Sequence, residues 1–126
     1  MTNPDLSGVK MAIGGGAILI HQGKLMNIKK NVKTAQRHPR SAVCWNEKFL
    51  FLMVVDGRQK GLSEGMTLPE LANYLRGLGC DEAINMDGGG SSTLWYNGQV
   101  INSPSDNPGK REERKVANAL VIVHQP

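Results

Sequence analysis

Phe49-Leu50-Phe51-Leu52-Met53-Val54-Val55, followed at once by Asp56-Gly57-Arg58, decides the fold of this chain. Seven apolar residues without a polar alternate leave no solvent face, so the segment reads as a strand covered on both sides. Ala83 to Met86 is a second short buried strand, and it also stops at Asp-Gly, here Asp87-Gly88-Gly89-Gly90. Between the two lies one helix. Thr67 and Glu70 form a capping-box pair, Met66 and Leu71 are placed as a hydrophobic staple, and Leu68, Leu71, Ala72, Leu75 and Leu78 recur at helical spacing before Gly79. Pro69 is tolerated in a first turn but disfavours helical geometry at Leu68, so the helix is expected to begin one residue later. Strand, helix, strand predicts a βαβ crossover with parallel strands. The fold class is therefore α+β, a mixed sheet with a βαβ crossover and one main helix near 68–78. Asp56 and Asp87 then emerge on one sheet edge beside Arg58, where sites in such sheets commonly open.

Outward from this unit the chain is punctuated by turns. His21-Gln22-Gly23-Lys24 separates apolar Ala17–Ile20 from Leu25–Ile28, and Asn97-Gly98 separates Thr93–Tyr96 from Gln99–Ile101; both read as hairpins. Ser41 to Trp45 is a further strand. Asn27 to Pro39 is polar and basic and reads as an exposed loop, Pro104 to Glu113 as another. Val116 to Val123 is expected to close the chain as an apolar strand. No internal repeat or low-complexity segment is present, and 126 residues fit one domain, 1–126.

Composition excludes several classes. Hydrophobic residues make up 40% and charged residues 21%, an ordinary globular balance. The net charge of +4 is concentrated in part at Lys29, Lys30, Lys33, Arg37 and Arg40, but no aromatic residue interleaves with the lysines, so no nucleic-acid partner is expected. No apolar run approaches the roughly 20 residues of a membrane span. Met-Thr-Asn-Pro-Asp is not a signal peptide, so the chain as written is expected in the cytoplasm. Cys44 and Cys80 fit no metal or C-x-x-C spacing; buried free thiols are the default, and a disulfide stays open with nothing calling for it.

The chemistry-bearing residues gather at the two Asp-Gly ends. Glycines 88 to 90 would let backbone N–H groups approach an anion, with Ser91, Ser92 and Thr93 adding hydroxyls. A tight turn is the competing explanation, and the flanking Asp and hydroxyls put the anion site modestly ahead. Gly14 to Gly16 lacks such neighbours and is read as structural. Arg58 and Arg40 suit phosphate, because guanidinium forks match its oxygens. His38 is either a hydrogen-bonding or acid–base group or a solvated loop histidine. No metal-ligand spacing is present and no cofactor is expected, with a carboxylate-bound cation at Asp56 and Asp87 left open.

Six segments stand in one order: His38-Pro39-Arg40-Ser41-Ala42, Asp56-Gly57-Arg58, Ser63 to Ala72, Asn85 to Thr93, Asn102-Ser103-Pro104-Ser105-Asp106 and Glu113 to Leu120. In this they resemble the phosphodiester glycosidase domain family. Members usually carry further N-terminal strands with an Asn-Gly-Phe-Phe-like motif. None is found here, so the chain is expected to correspond to the C-terminal part of that domain, with a second copy as one way of completing it. The family is often secreted or membrane-anchored. The resemblance implies hydrolysis of the glycosidic bond of a sugar-1-phosphate diester of N-acetylglucosamine type, releasing free sugar and a phosphomonoester. It implies Asp87, and behind it Asp56, as catalytic carboxylates. Arg58 and Gly88, Gly89, Gly90, Ser91 and Ser92 would bind phosphate, with Arg40 and Arg114 in support and His38 beside them. Asn102, Ser105 and Asp106 would meet sugar hydroxyls. The alternative is a module that binds a sugar phosphate or polyanionic glycan without cleaving it.

Overall fold

The computed structural model describes residues 5–124. Its main helix forms as the capping box dictates. Thr67 Oγ1 accepts from the Glu70 N–H at 3.2 Å and Glu70 Oε2 accepts from the Thr67 N–H at 2.9 Å. The helix runs Leu68–Gly77; we number it α2, after a shorter α1 at Val32–Ala35. Leu68 is helical after all, because Pro69 falls in the first turn, where a missing N–H costs no intrahelical bond. Gly79, at φ +86°, lets the chain leave the helix. Short α1 interrupts the expected 27–39 loop. There Asn31 and Thr34 cap each other reciprocally, a signal hidden among basic residues.

Among the described residues seven strands accompany the helices: β1 Ala17–His21, β2 Lys24–Leu25, β3 Arg40–Trp45, β4 Leu50–Val55, β5 Glu82–Asn85, β6 Trp95–Tyr96 and β7 Gln99–Val100. The first five form one sheet in the order β2-β1-β5-β3-β4, and β6-β7 is a separate hairpin. Both hairpin turns place two residues at positive φ, Gln22-Gly23 and Asn97-Gly98, as the tight two-residue turn requires. The α2 crossover joins β4 to β5, which point the same way because each is antiparallel to β3 between them. Every hydrogen-bonded neighbour in the sheet is thus antiparallel, and the parallel relation spans one intervening strand.

β4, expected to be covered on both faces, is a sheet edge whose two faces are covered only in part, with Leu50 exposed and Phe51 to Val55 half-buried. Phe51, Met53 and Val55 pack toward the α2 core, whereas Leu52 and Val54 line a cavity on the opposite face. Two partly covered faces, rather than two neighbouring strands, removed its alternation. The core joins Leu19, Ile20, Ala42 and Ala83 of the sheet to Leu68, Leu71 and Leu75 of α2. Complete burial of Leu71 and Leu75 contributes roughly 1.5–3 kcal/mol apiece.

Two further expectations fail. Cys44 and Cys80 are not free thiols but a disulfide, with Cα atoms 5.8 Å apart. The turn after α2 brings Cys80 under β3, a proximity that residues 36 apart in sequence did not announce. Val116 to Val123 forms no strand. Val116 and Leu120 line the second-face cavity together with Val43 and Leu52, Val121 to Val123 are exposed, and the backbone of the segment joins no ladder. Among the described residues no helix is long and apolar enough to cross a membrane.

The disulfide closes a loop of 36 residues. Replacing both cysteines by alanine should lower the unfolding free energy by about 2–4 kcal/mol in denaturant titrations. An unchanged midpoint would show that the bond constrains the unfolded chain little.

Candidate functional site

The site is assembled around a two-residue crossing. The His38–Pro39 backbone lies against three glycines from three different segments. A Cβ on Gly57 would sit 2.6 Å from the Pro39 nitrogen, one on Gly65 2.3 Å from the His38 oxygen, and one on Gly88 2.7 Å from the Pro39 oxygen. No side chain fits at such distances from backbone atoms. His38 also exchanges backbone hydrogen bonds with Met66, 3.3 and 3.1 Å, which pins the crossing to the start of α2. The ends of β4 and β5 and the entry to α2 are thereby drawn to one point.

A chain of alternating charges runs from that point. Arg58 donates from Nη1 to the Asp106 carbonyl at 2.6 Å and meets His38 Nδ1 through Nη2 at 3.3 Å. Its backbone stands at φ +60°, a costly conformation for a non-glycine residue and one that clusters at functional sites. Asp106 Oδ1 lies 3.2 Å from Arg114 Nη1, and Arg114 Nη2 reaches Asp87 Oδ2 at 2.9 Å. Ser91 Oγ donates to the same Asp87 oxygen at 2.8 Å, and the Gly88 N–H donates to Oδ1 at 2.9 Å. Asp87 remains 76% exposed on its side chain. Partial burial raises its pKa, but the bonds from Ser91 and Gly88 and the Arg114 charge outweigh that and hold the carboxyl below its ordinary range. His38 is likewise held away from protonation: desolvation, then the charges of Arg58 and Arg40, depress its pKa and keep the ring neutral.

The remaining sequence-predicted residues divide from this group. Asp56 is occupied inside the protein: its carboxylate accepts from Asn102 Nδ2 and twice from the Ser103 N–H, at 2.9 to 3.1 Å. Asn102 spends its amide on Asp56, the Ser92 carbonyl and the Leu94 N–H, and Ser105 is buried with its hydroxyl on the Asn107 carbonyl. These three hold the 92–107 loop in place. Ser92 is buried and bonded to Ser41. The glycine loop is a single 3₁₀ turn, Gly89–Ser91, and its N–H groups are engaged internally: Gly89 on the Pro39 carbonyl, Gly90 on Asp106, Ser92 on the Gly89 carbonyl. Arg40 is buried and donates to the carbonyls of Met66, Lys33 and Gln36, each at 2.9 Å. Among the described residues no group of three or more His, Cys, Asp or Glu is placed to hold a metal.

Two cavities meet at Asp87. One, of about 520 Å³, lies on the second face of the sheet and also takes in Ser91 and Arg114. The other, of about 630 Å³, lies on the helix side with Gly88, Arg40 and Asn85. Asn85 and Gly14 to Gly16 were not picked out as site residues from the sequence. Nothing in their local pattern distinguishes a cavity wall from a strand and a turn.

A family model described as phosphodiester glycosidase matches residues 1–123. The chain belongs to the phosphodiester glycosidase family. The bovine (Bos taurus) N-acetylglucosamine-1-phosphodiester alpha-N-acetylglucosaminidase is 32% identical over 131 residues, which takes in 96% of this chain and 24% of that protein. The catalytic domain of the zebrafish enzyme of the same name, a solved structure, superposes with a TM-score of 0.66 at 30% identity, over 82% of this chain and 39% of that one. A Synechocystis protein of known structure superposes with a TM-score of 0.61 at 29% identity, over 80% of this chain and 19% of that one. The chain thus spans about a quarter of the bovine relative's length.

Two measurements check the site. Gly57→Ala, which drives a Cβ onto the Pro39 nitrogen, should cost about 1–3 kcal/mol of stability in thermal unfolding; a wild-type melting temperature would show that the crossing yields freely. In an NMR titration His38 should titrate below 6.5, and Arg58→Ala should move its midpoint up. A depressed folded pKa means that the unfolded chain binds the proton more readily. Stability therefore falls as pH drops from about 6.5 to the folded value and levels below it. A midpoint at or above 6.5 would contradict the charge arrangement.

Proposed function

We propose that the chain hydrolyses the glycosidic bond of a sugar-1-phosphate diester of N-acetylglucosamine type, releasing the free sugar and a phosphomonoester. The observation that carries this is Asp87: an exposed carboxylate kept ionised by Ser91, Gly88 and Arg114, at the junction of two cavities. Phosphate is a good leaving group, so the demand falls on stabilising an oxocarbenium-like transition state and delivering water. In the reaction the oxygen of water bonds to the anomeric carbon. The carbon–oxygen bond to phosphate breaks, and its electron pair leaves on the phosphate oxygen. Asp87 stabilises the cationic sugar or takes the proton of the attacking water. Arg114 faces the departing negative charge, with Ser91 as a hydroxyl donor, and Arg58 holds Asp106 behind Arg114.

The second carboxylate, Asp56, is taken up by Asn102 and Ser103, which favours a second reading, a module that holds a sugar phosphate without cleaving it. In either case the Cys44–Cys80 disulfide supports an oxidising compartment as the place of action, in preference to the cytoplasm.

Incubation with an N-acetylglucosamine-1-phosphate diester, followed by mass spectrometry, separates these readings. Free sugar is expected, reduced by about 10²–10³-fold in Asp87→Asn and in Arg58→Ala. Full activity in both variants at normal stability would overturn the assignment. Binding without release would leave the binding module.

A further inference from the structure

The two edges of the five-stranded sheet are protected unequally. β2 is two residues long and carries Lys24, a short, charged edge of the kind that resists pairing. β4 has six residues, all apolar, with no proline and no charge, and its register with β3 runs without a bulge. Leu50 and the preceding Phe49 are 55% and 60% exposed, and Trp45, the cross-strand neighbour of Leu50, is exposed as well. A long, regular, apolar edge is a template for another strand.

The backbone shows which groups that strand would meet. The Asn46 N–H donates to the Phe49 carbonyl at 3.0 Å. Bonded and non-bonded pairs alternate along an antiparallel ladder, so Phe51, Met53 and Val55 turn their N–H and C=O groups toward β3. Those of Leu50, Leu52 and Val54 point outward, and among the described residues they make no hydrogen bond beyond the sheet. The chain as a whole also exposes more than a closed monomer does. Its accessible surface is 9376 Å², roughly 2,800 Å² above the area of a compact monomer of this mass. Part of that excess lies on the irregular segments 5–16 and 110–124, yet a standard interface takes only about 800 Å² from each partner.

β4 is complementary to itself. We propose that it is a dimerisation edge, joining a second copy of this chain antiparallel across a two-fold axis at Leu52. This register places Leu52 opposite its own copy and Leu50 opposite the partner subunit's Val54. Every outward N–H of one strand then meets a carbonyl of the other. Leu50, Leu52 and Val54 share one face, so apolar side chains meet across the joint. No like charges are brought together, since Lys48 stands just before β4 and Asp56 just after it. The pairing closes: both β4 edges are used up, and only the short β2 edges stay free. Because Leu52 and Val54 also line the second-face cavity, the partner's strand extends its apolar floor.

Sedimentation velocity over a concentration series, with backbone amide exchange followed by NMR, tests this. Wild type should reach a dimer and stop there. In the dimer the amides of Leu50, Leu52 and Val54 should exchange about tenfold or more slowly than on dilution to the monomer. Leu50→Lys alters a side chain that is exposed in the single copy, so folding does not rest on it. It should weaken the dimer about a hundredfold, because two-fold symmetry counts the change twice. Leu52→Pro deletes an outward N–H without removing a bond to β3, and should act alike. Tyr74→Lys, on the exposed face of α2, should change nothing. A monomer at every concentration, growth past the dimer, a dimer insensitive to Leu50→Lys, or fast exchange of the three amides within a dimer would each overturn the proposal. Slow exchange of those amides in a monomer would also overturn it, and would assign the edge to a segment of the same polypeptide.

Discussion

The passage of the His38–Pro39 backbone between Gly57, Gly65 and Gly88 is the contact on which the rest of the site depends. Each glycine follows or precedes a residue whose direction matters: Asp56 and Arg58 flank Gly57, Met66 follows Gly65, and Asp87 precedes Gly88. A side chain at any of the three would push the crossing away by the width of an atom. β4, β5 and α2 would then no longer converge. The capping box of α2 acts in the same place, since its N-cap, Thr67, directly follows the Met66 that His38 bonds. Close packing of backbone on backbone is thus what gives the polar residues a fixed frame.

Within that frame the charges are arranged to be spent unequally. Arg58, Asp106, Arg114 and Asp87 form a line of alternating sign, so each holds its neighbour without leaving a large net charge. Asp56, by contrast, has its lone pairs taken by Asn102 and Ser103. Two Asp-Gly ends that look equivalent in sequence therefore separate by environment, one organising a loop and one facing solvent. The pattern agrees with the general rule that acid and base roles are set by surroundings rather than residue type.

Much of this was legible in the sequence because it is local. The capping box at Thr67 and Glu70, the positive-φ hairpin turns and the two Asp-Gly strand ends each act over a few residues, and each appears where expected. The α2 crossover was also legible, because strand–helix–strand order constrains direction. What was illegible depends on partners distant in sequence. β4 read as covered on both faces, but hydrophobicity records coverage and does not say that the strand lies at a sheet edge. Val116 to Val123 read as a strand because apolar residues suit a ladder, while the sequence does not say that part of the segment lines a cavity and the rest stays exposed. Residues 36 apart gave no sign of the disulfide, and Asn85 looked like one more strand residue although it lines the helix-side cavity.

The disulfide and the site lie at opposite ends of the same strands. Cys44 lies near the end of β3 away from Arg40, and Cys80 lies just ahead of β5, so the covalent bond closes the end opposite the site. At the site end the same two strands are held by the last rungs of their ladder, Ala42 opposite Asn85 and the Met86 N–H on the Ser41 carbonyl at 2.8 Å, with the packed glycines beside them. The two cavities beside Asp87 therefore rest on non-covalent contacts alone, and reduction of the disulfide removes a constraint from the end of the sheet that holds neither of them.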